Sequence, residues 1–133
     1  MTSSFKSIQI FISIETMRKF IFRHMEKEEG YMYLEGYIPK SSSGVTIATG
    51  YDLGWGPDIF GCLNDAKLES KLIPYRGLKS RSAVANKGLD AKNLKVKLDE
   101  AKAIDQCMLD YNKKLVISIF NLLFVKKYKI NVI

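Results

Sequence analysis

Hydrophobic positions change period several times along the chain, and each change marks a predicted element. Over residues 8–29, Ile14, Met17, Ile21, His24, Met25 and Glu28 recur three and four residues apart, which predicts a helix with one largely apolar face. Gly30 follows as its stop. The run YMYLEGYI (31–38) is rich in aromatic residues and contains Gly36, the pattern of a short strand with a bulge. PKSSSG (39–44) is turn chemistry. VTIAT (45–49) alternates, with Val45, Ile47 and Thr49 on one side and Thr46 and Ala48 on the other, so it forms a hairpin with the preceding strand. GYDLGWGPDIFG (50–61), with four glycines and a proline, reads as a loop or a third, irregular strand.

Helices follow. Asn64 or Asp65 is placed to cap a short helix through Leu72, stopped at Pro74. Residues 75–96 are basic, contain Gly77 and Gly88, and predict short helical pieces. From Leu98 a long helix begins, its apolar face made of Leu98, Ala101, Ile104, Cys107, Met108, Tyr111 and Leu115. The order of elements gives an α+β fold, with sheet and helices segregated. At 133 residues the chain is expected to be a single domain over 1–133.

Composition narrows the partners. With 21 Lys and Arg against 14 Asp and Glu, the net charge of +7 points to a polyanion. Residues 51–70 are net acidic, whereas 71–102 carry Lys71, Arg76, Lys79, Arg81, Lys87, Lys92, Lys95, Lys97 and Lys102 against Asp90, Asp99 and Glu100. Only Tyr75 is interleaved among those cations, which disfavours single-strand nucleic-acid binding by stacking. No apolar run reaches the roughly 18 residues of a membrane span, so no membrane insertion is expected. No signal peptide is evident. Cys62 and Cys107 stand far apart in no metal or redox motif, so they are expected as buried free thiols, with no metal site and no cofactor.

Three residues carry candidate chemistry: Glu29, Thr46 and Asp52. A carboxylate at a helix C-terminus meets the negative end of the macrodipole, and Glu26 and Glu28 add like charge. Both disfavour the charged form, as a general acid requires. Asp52, flanked by Gly50 and Gly54, lies in an open turn at the exit of the hairpin. A protonated Glu and an ionised Asp across a hairpin is the two-carboxylate arrangement of a glycoside hydrolase. Glu35 is the fallback second carboxylate, with a solvated hairpin residue as its ordinary reading. Tyr37, with Tyr31 and Tyr33, could line a glycan groove, although strand aromatics usually pack. Trp55 could stack on a sugar, although a lone tryptophan more often packs.

The strings EEG (28–30) and GYIPKSSSGVTIATGYDLG (36–54) resemble the phage T4-type lysozyme superfamily, and most closely its pesticin branch of muramidases. In that family a helix ends in Glu-Gly, as at Glu29-Gly30, and a T-I-x-x-G strand carries a threonine, as at Thr46 to Gly50. The phage-type pattern puts its aspartate six residues before the threonine, where this chain has Lys40. The pesticin-type pattern puts it six residues after, which is Asp52 in Gly50-Tyr51-Asp52-Leu53-Gly54. The likeness continues through LIPYRGLKSRSAVA (72–85) and LDEAKAID (98–105), covering about residues 15–115.

The resemblance implies a lysozyme-like fold and hydrolysis of the MurNAc-β-1,4-GlcNAc bond of peptidoglycan, without cofactor or metal. On this reading Glu29 protonates the leaving oxygen, Asp52 orients a water, and Thr46 helps to hold it. Inversion of the anomeric centre needs carboxyls about 6.5–9.5 Å apart. The polyanion is then cell wall rather than nucleic acid, reached in the periplasm or wall of a target bacterium after export.

In the T4 type a second helical lobe follows the long helix. Here residues 116–133 form an atypical tail and that lobe is expected to be largely missing. A truncated member would expose the apolar face of its long helix for self-association, unless Ile117, Ile119, Phe120 and Phe124 covered it. Two other readings fit the same residues: an inactive remnant that only binds wall or a protein, and a small basic nucleic-acid-binding protein.

Overall fold

The structure is a computed structural model that describes residues 30–125, together with Glu15 and Lys19 as isolated helical positions. Most of the helix predicted over 8–29, including His24 and Glu29, and residues 126–133 lie outside the described residues. The chain divides into two compact units, residues 30–111 on one hand and 1–29 with 112–133 on the other.

The first of these units is built on a three-stranded antiparallel sheet of order β1-β2-β3. β1 is Tyr33–Tyr37, β2 is Thr46–Ala48 and β3 is Tyr51–Asp52. Tyr33 pairs with Ala48 and Tyr37 with Thr46, and the register shifts between them, so the bulge expected at Gly36 is present. The shift lets the Gly36 N–H leave the hairpin and donate to the Leu94 carbonyl at 2.8 Å. Val96 N–H donates to Leu34 O at 2.9 Å, so residues 94–96 cover the outer edge of β1. Val45, Thr46, Ile47 and Ala48 are all buried. The alternation in VTIAT therefore does not separate core from solvent, because both faces of β2 are covered.

Among the described residues four α-helices follow the sheet along the chain: α1 is Phe60–Leu63, α2 Ala66–Leu72, α3 Arg81–Asn86 and α4 Leu98–Phe120. Asp65 caps α2 by accepting from Leu68 N–H at 3.1 Å, and Pro74 opens the 3-10 turn Ile73–Tyr75 that ends it. Ser80 caps α3 by accepting from Ala83 N–H at 3.0 Å. Ile47, Leu68, Leu72, Leu94 and Ile104 form the centre of the core, each burial contributing about 1.5–3 kcal/mol. Leu98, read as part of the apolar face of α4, is exposed; the buried face begins at Ala101. Among the described residues no helix is long and apolar enough to cross a membrane.

In the other unit the described residues are Glu15, Lys19, the end of α4 and a π-helical turn, Asn121–Val125. There Leu115, Ile117, Ile119, Leu122 and Leu123 are exposed and Phe120 is buried.

One sequence expectation is overturned. Cys62 and Cys107 are not free thiols: they form a disulfide with Cα atoms 5.8 Å apart. The chain between them folds back so that α1 lies against α4, a proximity that a separation of 45 residues conceals. Closing a loop of that length stabilises by about 4 kcal/mol on the chain-entropy account. The double variant Cys62→Ser/Cys107→Ser is expected to lose stability of that order in urea denaturation, and the wild type to lose the same amount on reduction.

The start of α4 is held by Glu100. Its carboxylate accepts from the Lys97 backbone N–H and from Lys71 Nζ, each at 2.9 Å, which closes half a capping box and ties α2 to α4. Burial alone would push the Glu100 carboxyl up, but the Lys97 N–H and the Lys71 ammonium together hold it below its ordinary value of 4.5. A depressed carboxyl contributes stability that is complete above the unfolded value and is lost as pH falls through the folded one. The wild type is therefore expected to lose more stability below pH 4.5 than Glu100→Gln, measured by denaturant midpoints across an acid series.

Candidate active site

The register of the sheet assembles the site. Tyr37 lies opposite Thr46, and Thr46 opposite Asp52, so the three side chains share one face in a row across β1, β2 and β3. Thr46, at 4% exposure, is the buried member, and its hydroxyl donates to Gly44 O at 3.3 Å. That bond leaves the lone pairs of Thr46 Oγ1 as acceptors.

Asp52 is half-buried, and backbone donors hold its carboxylate. Oδ2 accepts from Gly44 N–H at 3.2 Å, and Oδ1 from Gly54 N–H at 2.8 Å and Trp55 N–H at 3.2 Å. A carboxylate has about four acceptor sites, so roughly one remains for a further proton donor such as water. The approach explains Gly44: a Cβ there would lie 2.6 Å from Asp52 Oδ1 and 2.6 Å from the Gly54 nitrogen.

The turn before β3 is held from α4. Gly50 N–H closes it onto Ile47 O at 3.3 Å, with Gly50 at φ +114° and Ala48, a non-glycine residue, at φ +56°. The left-handed conformation costs a non-glycine residue roughly 1–2 kcal/mol. Asp105 offsets this by accepting from Thr49 N–H at 2.9 Å and from Thr49 Oγ1 at 2.6 Å. Within β3, Tyr51 is buried and its hydroxyl donates to Pro57 O at 2.7 Å, anchoring the glycine-rich loop that follows. Burial raises the Tyr51 phenol; Arg76 opposes this, and Asp58 and Asp52 add to it. The phenol therefore remains a donor.

The other candidates divide. Trp55, expected to pack, is 61% exposed, because its loop turns the indole outward. Tyr31 and Tyr33 are also exposed; their rings meet edge-on at 4.9 Å, and those of Tyr33 and Tyr37 lie 4.0 Å apart. Glu35 is exposed on β1 in a backbone bridge with Lys95, as a solvated hairpin residue would be. Glu29 lies outside the described residues. Asp105 was not singled out by local pattern; it stands in the LDEAKAID string, but only the folded chain brings it to Thr49.

Residues 21–128 match the family model "Pesticin: Bacterial toxin homologue of phage lysozyme, C-term". The chain belongs to this family. The match takes in Glu29, Thr46 and Asp52, and it runs on through much of the tail after residue 115. A search of curated proteins and a search of solved structures found no match. The small antiparallel sheet, short helices and long helix are consistent with a lysozyme-like fold, and at family level the chain is a lysozyme-like peptidoglycan hydrolase domain.

Asp105→Ala removes both hydrogen bonds to Thr49 and is expected to cost about 2–3 kcal/mol, while Thr49→Val removes one and costs about 1 kcal/mol. A double-mutant cycle in urea should show the two substitutions coupled rather than additive.

Proposed function

We propose that this pesticin-family domain is a muramidase that cleaves the MurNAc-β-1,4-GlcNAc bond with inversion. The observation that carries this reading is Asp52: its carboxylate is oriented by Gly44, Gly54 and Trp55, and it stands in one row with Thr46 and Tyr37. Glu29 supplies the proton to the glycosidic oxygen. Asp52 uses its remaining acceptor capacity to orient a water and take its proton as the water attacks the anomeric carbon. Thr46 Oγ1 is the second acceptor for that water. Fixed acceptors suit this role, because a water held in line needs no reorganisation at the moment of reaction.

The Cys62–Cys107 disulfide fits a site of action in an oxidising compartment, such as the periplasm or wall of a target bacterium. The net charge of +7 favours encounter with an anionic wall.

A second reading has a specific observation behind it. Three backbone hydrogen bonds are also what a purely structural turn aspartate makes, and a wall-binding protein without catalysis would keep them. Clearing of a peptidoglycan suspension separates the two. The muramidase reading expects Glu29→Gln and Asp52→Asn each to lower the rate by about 10²–10⁴-fold while wall binding persists. Because Asp52→Asn sets an amide against backbone donors, its folded fraction is measured alongside. A wild type as inert as both variants rejects catalysis.

A further inference from the structure

We propose that Trp55 and Lys79 form a saccharide subsite beside Asp52 that takes an N-acetylhexosamine ring bearing an acidic substituent. This rests on the peptidoglycan reading above and adds to it a determinant of which glycan is preferred.

Trp55 combines two properties that packing does not explain. Its side chain is 61% exposed, yet it is fixed. The indole Nε1–H donates to Ser42 O at 3.0 Å and to Lys79 O at 3.1 Å, and the backbone N–H donates to Asp52 Oδ1 at 3.2 Å. The polar edge of the ring is thereby satisfied by two separate loops, and most of its apolar body is left in water, with the Lys79 ammonium over the ring. An aromatic surface immobilised before a ligand arrives loses little entropy on binding. The flat indole matches the C–H face of a pyranose, and the shared hydrogen bond to Asp52 ties its position to the carboxylate proposed to orient water.

Lys79 adds charge to this surface. Its ammonium lies 4.7 Å from the Trp55 ring centroid. Among the described residues no carboxylate lies within ion-pair distance of it. A sugar stacked on the exposed indole therefore places its substituents beside an ammonium with capacity for an anion. A neutral N-acetylglucosamine polymer offers the ring alone. A muramyl residue offers the ring and, through its lactyl arm or attached peptide, a carboxylate. Trp55 then supplies affinity and Lys79 supplies discrimination.

Trp55 is the sole tryptophan, so tryptophan emission reads this ring directly. The full chain carrying Glu29→Gln is titrated with a soluble GlcNAc-MurNAc-peptide and, separately, with chitotetraose, with calorimetry in parallel. The expected result is a saturable emission change with both ligands and tighter binding of the acidic one. Lys79→Gln should weaken the acidic ligand about fivefold and leave chitotetraose unchanged, while Trp55→Ala should weaken both by about tenfold. Calorimetric binding of the muropeptide with silent emission overturns the subsite, and so does an unchanged preference in Lys79→Gln. Wall clearing by the wild type tells the two proposals apart. Clearing with silent emission removes the subsite and leaves the muramidase. Responsive emission without clearing removes the muramidase and supports the subsite as a binding site. Failure of both removes both.

Discussion

The arrangement of the site depends on one carboxylate whose oxygens are held by the backbone. Asp52 draws in the N–H groups of Gly44, Gly54 and Trp55, which lie on both sides of it in sequence. The approach is so close that Gly44 has no room for a Cβ. Each of these bonds has a charged acceptor, so each is stronger than an ordinary turn hydrogen bond. Together they fix the entry to β2, the exit from β3 and the direction of the Trp55 indole. A role for Asp52 in chemistry and a role in folding are therefore not alternatives. The bonds that fold the loop around Asp52 are the same ones that, on the proposed mechanism, would orient it toward a water.

Much of this was legible in the sequence. The hairpin, its bulge at Gly36, the caps at Asp65 and the long helix from Leu98 follow from period, turn residues and capping chemistry, all of which act over a few positions. Thr46 and Asp52 were marked as candidates by the resemblance to the pesticin branch, whose pattern sets the aspartate six residues after the threonine. What stayed hidden depends on contacts between distant segments. Cys62 and Cys107 give no local sign of pairing, and neither do Asp105 and Thr49. Trp55 misled because composition favours burying a lone tryptophan. The outcome was decided by two carbonyl acceptors, Ser42 O and Lys79 O, contributed by other loops.

The long-range ties converge on the first turns of α4. Glu100 takes the Lys71 ammonium from α2, Ala101 and Ile104 enter the core, Asp105 grips the turn before β3, and Cys107 is bonded to α1. Each tie has a different physical character: an ion pair, apolar burial, charged hydrogen bonds and a covalent bond. Their responses to conditions differ accordingly. Acid weakens the first, and reduction removes the last, while burial and the Asp105 clamp persist through reduction. A sheet of three short strands could not hold the left-handed backbone at Ala48 by its own pairing, since β3 has only two residues. The clamp from Asp105 supplies what the sheet lacks, and it can do so only if α4 is itself immobile. The stability of the helix start is thus a condition for the turn that leads from β2 into β3 and Asp52.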